Sequence, residues 1–507
     1  SFGHRFLSPE TFTFNDLKSY LEQSKRFFLV VDPKIRKRQI MEQARGLAQE
    51  IGGMVEEDRG LLEEVAYLVE YPIALRCGFE SKYLGLPREL LVLTMKNHQR
   101  YFPVFKRDGS LLPYFIAVTN TQTENYLEIK RGNERVLRAR LEDANFFFEE
   151  DRKRKLDAYI ETLKGVIFQK KLGTLHDKVS RIISLAQKIS ERICPDHTQK
   201  VGRAARLCKA DLVTQMVFEF PELQGIAGGY YARESGEDPE VAQAIHEHYR
   251  PNFSGDILPS TPIGCALALG DKIDTILGCI SVGLIPTGSE DPYALRRHTF
   301  GVIQIILKGG WNISLDEWIG HGLKLLSGQS KFSSEQIRNQ VLGLFAQRYK
   351  SLLGNEGYPP DAIDAVLSTG IDSLVDVKGK VKAFTDLKAL SHFEPLAMTF
   401  RRVISILTKD VEGVVQSRLL TEEQERNLYN HYLKIRKPIE QKLTEKDFAG
   451  ALKKISEIKP SVDKFFDNVL VMDKNEVLRE NRLRLLSHIA GLFSGIADFS
   501  KIIIKNN

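Results

Sequence analysis

Strand-like patterns in this sequence are confined to roughly the first 150 of its 507 residues, which limits the folds open to it. Short apolar runs at residues 90–95, 101–105 and 114–118 predict strands, and Asp108-Gly109 between the last two predicts a hairpin turn. Residues 33–51 carry apolar side chains at helical spacing. We therefore predict an α+β domain over residues 1–150.

Helical periodicity begins near residue 149 and continues to the end of the chain. Residues 152–193 predict one long helical segment, and the last part, from residue 388, is helical and charge-rich with breaks at Pro438 and Pro460. Further helices are predicted at residues 201–218, 239–249, 263–280, 292–307, 334–353 and 360–369. The result is a multidomain protein with a helical domain at 151–325, a helical linker region at 326–387 and a helical domain at 388–507.

Composition limits the partners and the cellular location that we expect for this chain. The formal net charge is +6, from 72 basic and 66 acidic residues, which suits a polyanionic partner. No stretch approaches the roughly 20 apolar residues of a membrane-spanning helix. The five cysteines are odd in number and form no CxxC pair, so we expect a reducing, cytoplasmic location. The chain opens on Ser1 without a signal-peptide pattern, and we expect it to be a piece of something longer.

The usual nucleotide and nucleophile signatures are missing from the sequence: GxxxxGK[ST], GxGxxG after a strand, and GxSxG. The glycine-dense residues 225–229 follow a helix, which favours a turn and close packing over a phosphate cradle. His246 and His248 are two residues apart and would lie on different helix faces. We interpret them as polar surface or capping residues and not as metal ligands.

One helical region resembles the HD phosphohydrolase superfamily, whose metal ligands run His, then His-Asp, then Asp. The resemblance lies in the order of helices and in residues 269–274, LGDKID. Here the middle dyad reads Ala210-Asp211, and Asp177 or Lys178 stands where the first His belongs. Asp177, Asp211 and Asp271 alone would make a weak metal site. We predict an HD-like scaffold without metal, in which these carboxylates cap or salt-bridge helices. An HD-type metal-dependent phosphohydrolase is the alternative.

A basic run lies between residues 130 and 155, interleaved with phenylalanines at 146–148. Arginine and lysine grouped in this way can neutralise phosphates, and the guanidinium fork binds them bidentately. The other interpretation is a solvated helix face whose charges pair with nearby acidic residues, and the sequence leaves both open. The candidate contacts are Lys130, Arg131, Arg135, Arg138 and Arg140.

The C-terminal region repeats the basic pattern on a helical framework, which suits the outside of a structured RNA. Its candidate contacts are Arg401, Arg402, Arg482 and Arg484, with further basic residues at 434, 436, 437, 453, 454 and 479. Tyr432, Phe465 and Phe466 could stack on bases, although the adjacent phenylalanines fit a helical core better.

Seven segments match the signature of a known family in the family's own order. They are residues 93–105 (LTMKNHQRYFPVF), 132–141 (GNERVLRARL), 168–175 (FQKKLGTL), 209–214 (KADLVT), 220–225 (FPELQG), 291–297 (DPYALRR) and 480–486 (ENRLRLL). In these the sequence resembles the β subunit of the bacterial glycyl-tRNA synthetase of the heterotetrameric α2β2 type, truncated at its N-terminus.

The resemblance implies three domain types and a division of labour. Residues 1–150 would form an incomplete domain like the B3/B4 region of phenylalanyl-tRNA synthetase, followed by an HD-like domain and a DALR-type anticodon-binding domain. The catalytic core, with ATP, magnesium and glycine, would lie on the α subunit, so no catalytic residue and no cofactor are expected on this chain. The expected partners are tRNA(Gly) and the α subunit in an α2β2 heterotetramer, without a membrane.

Overall fold

The computed structural model describes residues 1–123, 125–407 and 412–503 and divides the chain into two compact units. Unit 1 comprises Ser1–Leu163 and Leu207–His246, and unit 2 comprises Lys164–Arg206 and the chain from Glu247 onward. Within the described ranges, no helix has the length and apolar character needed to cross a bilayer.

Helices dominate both units. In chain order they are α1 (Leu17–Arg26), α2 (Pro33–Gln49), α3 (Arg59–Leu68), α4 (Arg88–Leu93), α5 (Tyr126–Arg152), α6 (Leu175–Ile193), α7 (Thr198–Leu207), α8 (Gln215–Glu219), α9 (Ile226–Glu234), α10 (Pro239–Glu247), α11 (Pro262–Ser281), α12 (Leu295–Gly309), α13 (Leu315–Leu325), α14 (Ser334–Asn355), α15 (Pro360–Leu367), α16 (Leu374–Lys388), α17 (Phe393–Ile406), α18 (Glu423–Thr444), α19 (Phe448–Ser456), α20 (Lys459–Asn468) and α21 (Glu476–Ser494). The strands are β1 (Ile73–Gly78), β2 (Phe102–Phe105), β3 (Leu111–Thr119), β4 (Ile167–Gln169) and β5 (Gly173–Thr174).

Unit 1 contains a three-stranded antiparallel sheet in the order β1-β3-β2. The β2–β3 hairpin turns at Gly109, whose φ of +81° favours glycine, and the Lys106 amide donates to the Ser110 carbonyl at 2.7 Å. The predicted strands at 101–105 and 114–118 and their hairpin are thus confirmed. Strand β1 was not predicted from the sequence, although it pairs with β3 along its whole length.

Helices α2 and α3 cover this sheet and form the core of unit 1. Each begins on an aspartate that accepts a backbone N–H: Asp32 from Lys34 at 2.8 Å and Asp58 from Leu61 at 3.0 Å. The buried residues of this core include Ile40, Ala44, Leu61, Val65, Phe102, Val104 and Ile116. A small sheet packed with helices confirms the predicted α+β character, whereas the B3/B4-like assignment stays a prediction.

Two predicted elements in this part of the chain are wrong. Residues 90–95 form a helix and one π turn, because Leu90, Leu91 and Met95 are buried at helical spacing and a short apolar run does not distinguish a helix from a strand. The long helix over 152–193 is interrupted: α5 ends at Arg152, and a β4–β5 hairpin precedes α6. Gly173, with a φ of +84°, stands directly before the Thr174 cap of α6.

Unit 2 is built around α11, in which every residue after Pro262 is buried. The helix packs against α6, α12, α13 and α14, so it is surrounded by other helices. The predicted helix over 263–280 is therefore confirmed. Its interior position also buries the charged residues Asp271, Lys272 and Asp274.

The C-terminal part of unit 2 is a helical bundle of α16 to α21. Its core includes the buried rings of Phe384, Phe400, Phe465, Phe493 and Phe499. Pro460 lies in the first turn of α20, as predicted, but the break predicted at Pro438 is wrong. Pro438 is exposed inside α18 while Ile435 and Ile439 pack inward, so the missing hydrogen bond falls on the solvent side of a helix held by its apolar face.

Candidate nucleic-acid interface

Helix α5 carries the first group of predicted RNA contacts, and its burial pattern fixes their direction. A buried stripe packs toward β1 and α8 and comprises Leu137, Leu141, Ala144 and Phe148. Arg131, Arg135 and Arg138 follow one another at spacings of four and three residues, so they share the face that points away from this stripe. All three are exposed.

The basic residues of α5 differ in their carboxylate partners. Arg138 lies 3.5 Å from Glu80, Arg140 lies 3.9 Å from Glu219, and Lys130 lies 3.8 Å from Glu134. For Arg131 and Arg135, the described part of the chain provides no ion-pair partner. These two guanidinium groups are therefore the α5 charges most available to an incoming phosphate.

The three phenylalanines near the end of α5 do not act together. Phe148 is buried and stacks on Tyr231 with ring centroids 5.5 Å apart, and the Arg152 guanidinium lies over its other side at 5.3 Å. Phe146 is 56% exposed and remains accessible. Only Phe146 and the half-buried Phe147 could meet an unstacked base.

Arg401 and Arg402 open the second basic group, on α17. Arg401 is exposed and donates to the Ser500 carbonyl at 3.3 Å. The Arg402 guanidinium is exposed and lies 4.2 Å from the centre of the Phe466 ring. Phe465 and Phe466 are themselves buried, as their adjacency suggested. Both arginines thus keep an accessible charge, and that of Arg402 lies against a buried aromatic ring.

Arg482 was wrongly predicted as a surface contact. Its side chain is only 5% exposed, because Glu425 and Asp473 both bind the guanidinium and the Leu470 carbonyl accepts a further N–H at 2.9 Å. A guanidinium in this position joins α21 to α18 inside the core, so it is not accessible to RNA. The sequence pattern of helix α21 gives no sign that this arginine faces inward.

Arg484, two residues further along, is partly exposed and tied to its surroundings. It lies 3.0 Å from Glu480 and donates to the Glu412 carbonyl at 3.3 Å. Lys434 and Lys437, one turn apart on α18, are exposed instead. The accessible charge of the C-terminal bundle therefore belongs to α17 and α18 more than to α21.

Asp177 lies in the first turn of helix α6, which Thr174 caps. One carboxylate oxygen of Asp177 accepts from the Thr174 backbone N–H and hydroxyl, both at 2.8 Å, while the Thr174 hydroxyl accepts from the Asp177 N–H. These hydrogen bonds from Thr174 lower the pKa of the Asp177 carboxyl. This is a capping box, so the carboxylate is engaged with the start of its own helix.

Asp211, in unit 1, caps a different helix. One carboxylate oxygen accepts the Gly225 N–H at 2.5 Å and the Gly228 N–H at 3.1 Å, at the start of α9. A Cβ on Gly228 would stand 3.0 Å from this carboxylate, a Cβ on Gly229 would stand 2.7 Å from His246, and Gly225 has a φ of +81°, so each glycine has its own packing or backbone reason. Burial raises the pKa of Asp211 to about 6. The predicted turn and close-packing role of the glycines is confirmed.

Asp271, in unit 2, belongs to a buried ionic network between α6 and α11. The Lys178 ammonium lies 3.0 Å from Asp271 and 3.0 Å from Asp274, and it donates to Thr275 at 2.7 Å. Arg181 completes the network with a 2.6 Å contact to Asp274. An internal lysine thus stands between the carboxylates of Asp271 and Asp274.

No group of three or more His, Cys, Asp or Glu side chains in the described ranges is arranged to hold a metal ion. His248 is buried, which excludes the surface position but not the capping role that the sequence also allowed, and His246 is half-buried beside Tyr230. All five cysteines are buried and none forms a disulfide, and burial raises the pKa of Cys77 and of Cys279 to about 12. These thiols are poor nucleophiles.

Sequence reasoning did not bring together one further pair of cations. Lys171 and Lys331 are 160 positions apart in sequence, yet both lie on exposed segments of unit 2 that attach to the last turn of α11. Neither position has a local charge pattern that sets it apart. Only the fold reveals the pair.

Comparison with known proteins gives matches along almost the whole chain. Residues 1–368 match the family described as glycyl-tRNA synthetase beta subunit, and residues 396–498 match the DALR anticodon binding domain. The second match places an anticodon-binding class of domain on the bundle that carries Arg401 and Arg402. Neither match is to a phosphohydrolase.

Curated relatives agree with these two matches. Proteins named glycine–tRNA ligase beta subunit from Trichlorobacter lovleyi, Citrifermentans bemidjiense and Geotalea uraniireducens are 43%, 44% and 45% identical to it. In each case the alignment covers 99% of this chain and 73% of the relative.

Proposed function

The chain belongs to the glycyl-tRNA synthetase β subunit family, and from that premise we propose that it binds tRNA(Gly) and presents it to an active site on a separate α subunit. The family performs the ligation of glycine to tRNA. In this division of labour between the two subunits, the present chain binds the RNA. The α subunit holds ATP, magnesium and glycine and makes the bond.

One observation carries this proposal: an anticodon-binding class of domain at residues 396–498 shares a chain with the family's characteristic region. An RNA-reading domain in a chain without a nucleotide-binding signature favours a role in holding the tRNA. Arg131 and Arg135 in unit 1, and Arg401 and Arg402 in unit 2, offer accessible guanidinium groups for its phosphates.

Holding the tRNA is a catalytic contribution in its own right. Fixing the reacting end of a large substrate in advance removes translational and rotational freedom that the chemical step would otherwise lose. A subunit that binds RNA at more than one place can therefore accelerate ligation without touching the reacting atoms.

The finer architecture follows from the resemblance and belongs to the same proposal. We assign residues 1–150 to a B3/B4-like domain, 151–325 to an HD-like domain, 326–387 to a linker region and 388–507 to the anticodon-binding domain. The assembly would be an α2β2 heterotetramer in the cytoplasm. The HD-like domain would serve as scaffold, since Asp177, Asp211 and Asp271 are all engaged with protein groups.

A tRNA-binding series tests the proposal. The full chain should bind tRNA(Gly) with an affinity that falls steeply with salt, because several phosphates are neutralised and their counterions released. Competition with an unrelated structured RNA of equal length measures specificity. Binding that ignores salt, or equal binding of both RNAs, would contradict the proposed role.

A further inference from the structure

Phe218, on α8, is the most exposed large apolar side chain in the described part of the chain, at 86%. Its backbone is nevertheless fixed, because the Phe218 N–H donates to the Thr214 carbonyl at 3.1 Å. The buried carboxylate of Asp151, near the end of α5, holds the start of α8. It accepts the N–H groups of Gln215 at 3.0 Å and of Met216 at 2.9 Å. A ring with two side-chain torsions on an anchored backbone has little freedom to move.

Helix α8 packs against the side of α5 that carries Arg140. The Arg140 guanidinium lies 3.9 Å from Glu219, the residue after Phe218. Val136 lies four residues before Arg140 and Phe147 lies seven residues after it, so the three side chains follow one stripe of α5. Val136 is 45% exposed and Phe147 is half-buried. An exposed aromatic ring, two further apolar side chains and a guanidinium therefore share this surface.

The π turn that follows α4 borders the same surface. The hydroxyl of Tyr101, just after this turn, donates to the Asn133 side chain at 2.7 Å, and Asn133 lies seven residues before Arg140 on the same stripe of α5. The imidazole of His98 stacks on the buried ring of Phe220, with centroids 5.7 Å apart and planes 15° apart. Contacts between aromatic and polar groups thus fix the π turn, α5 and the segment after α8 relative to one another.

Polar side chains of the π turn have no protein partner. Within the described ranges, the side chains of Asn97, His98 and Gln99 make no hydrogen bond. Amide and imidazole groups can donate to and accept from the edge of a base. The surface is built from three of the segments that resemble the family signature, residues 93–105, 132–141 and 220–225. Three distant parts of the chain therefore meet beside one exposed ring.

The composition of this surface favours an unstacked base over another protein. Arg140, Asp143 and Glu219 interrupt the apolar side chains, whereas the core of a protein–protein interface is depleted of charge. A base needs one flat ring on which to stack and a cation for its phosphate. Arg131 and Arg135, which have no carboxylate partner in the described chain, lie on the same helix.

We propose that Phe218 is a stacking platform for an unpaired base of the bound tRNA, and that Arg140 binds the phosphate of the same nucleotide. The identity of the ligand as tRNA rests on the proposed function. Arg140 would exchange a 3.9 Å contact with an exposed carboxylate for charge-assisted hydrogen bonds to phosphate. Every base has a π-face, so Phe218 would add affinity without choosing between bases.

Binding of tRNA(Gly) to the full chain tests the platform with Phe218→Ala, Phe218→Leu and Phe218→Tyr. We expect Phe218→Ala to bind about tenfold more weakly, because one base–aromatic stack is lost. Phe218→Tyr should bind as the wild-type chain does, and Phe218→Leu should not, because only the first keeps a flat aromatic ring. Wild-type affinity in Phe218→Leu, or a tenfold loss in Phe218→Tyr, would overturn the stacking.

Salt dependence separates the ring from the guanidinium. Phe218→Ala removes no phosphate contact and should leave the slope of log affinity against log salt unchanged, whereas Arg140→Gln should make it shallower by about one. Phe6→Ala is the matched control and should change neither affinity nor slope, since Phe6 is 71% exposed in unit 1 and lies 5.5 Å from the Arg5 guanidinium. An unchanged slope in Arg140→Gln would overturn the assignment of Arg140 to phosphate.

Melting temperature and binding of the α subunit distinguish the platform from other roles of Phe218. The melting temperature of Phe218→Ala should equal that of the wild-type chain, because the ring is exposed. A loss of tRNA affinity explained by a smaller folded fraction would assign the ring to the fold and overturn the platform. Unchanged tRNA affinity with weaker binding of the α subunit would assign the ring to a protein interface and overturn it as well.

Failure of the platform and failure of the proposed function give different results. If the wild-type chain binds tRNA(Gly) and Phe218→Ala binds it equally well, the platform is overturned while the proposed function stands. If the wild-type chain does not bind tRNA(Gly), the proposed function is overturned and the platform with it.

Discussion

Two sets of cations in this molecule look alike in sequence and differ completely in their surroundings. On α5, Arg131 and Arg135 are exposed and lack carboxylate partners in the described chain. Between α6 and α11, Lys178 and Arg181 are buried and held by two aspartates. A basic residue is therefore available to RNA only where the fold leaves its charge solvated and unpaired.

Breaking the buried set should have the largest effect. Asp274→Ala removes the carboxylate shared by Lys178 and Arg181 and leaves two buried cations short of a partner. Removing one member of a buried pair costs about 3–5 kcal/mol of unfolding free energy. Denaturant unfolding measures this loss. Lys188 lies on α6, as Lys178 and Arg181 do, but in a partly exposed pair with Glu191. Lys188→Ala should therefore lower the unfolding free energy much less. Equal losses in the two variants would contradict the distinction between buried and exposed pairs.

The C-terminal bundle also contains a buried, paired cation, Arg482. Arg482→Ala strips Glu425 of its buried partner and should lower the unfolding free energy by about 3 kcal/mol. Its effect on tRNA binding should disappear once the folded fraction is taken into account. A shallower salt dependence of tRNA binding in the folded variant would show that Arg482 contacts phosphate after all.

Asp211 is a buried carboxylate that has no cation in ion-pair contact among the residues that the structure describes. Asp211→Ala removes the cap of α9 and should cost about 1–3 kcal/mol. Because the folded-state pKa of about 6 lies above the ordinary 3.8, the proton-linked stabilisation is complete below about pH 4 and is lost as the pH rises through 6.

The wild-type advantage over Asp211→Ala should therefore be about 1 kcal/mol larger at pH 5 than at pH 7.5. Denaturant unfolding of both proteins at the two pH values provides the measurement. Asp211→Asn supplies the control, because it does not titrate and its difference from Asp211→Ala should stay constant. A wild-type advantage that shrinks on acidification would reverse the assigned direction of the pKa.

Substitutions in the exposed set should change the affinity for tRNA and leave the unfolding free energy unchanged. Arg131→Ala with Arg135→Ala should weaken tRNA binding about tenfold and reduce the salt slope by up to two, with unfolding unchanged. Arg45→Ala is the matched control, since Arg45 is similarly exposed in unit 1 but lies 2.8 Å from Glu57. Equal losses of affinity in both would mean that pairing does not decide which arginines meet RNA.

Local sequence signals predicted much of the fold. The Asp108-Gly109 turn and its strands, the helix over 33–51 and the buried helix over 263–280 follow from turn chemistry and apolar spacing, and the structure confirms them. The strand predicted at residues 90–95 was wrong because a short, mainly apolar run suits a helix as well as a strand. The helix break predicted at Pro438 was wrong because packing on the opposite face of α18 outweighs one missing hydrogen bond.

The candidate site was less predictable, because availability of charge is a tertiary property. Arg131 and Arg482 each lie in a basic helical segment, and only burial and partners distinguish them. Lys171 and Lys331, 160 positions apart, lie on segments that attach to the same turn of α11, and the sequence around them gives no sign of this. The family resemblance supplied the function, but not which cations could serve it.

Reconstituted glycylation tests the central claim most directly. Charging of tRNA(Gly) is measured with the α subunit alone, with this chain alone and with both together, at fixed ATP, magnesium and glycine. We expect negligible charging by this chain alone and strong charging only when both subunits are present. Glycylation by this chain unaided, or a charging rate of the α subunit that does not change when this chain is added, would show that the two subunits do not divide the work in this way.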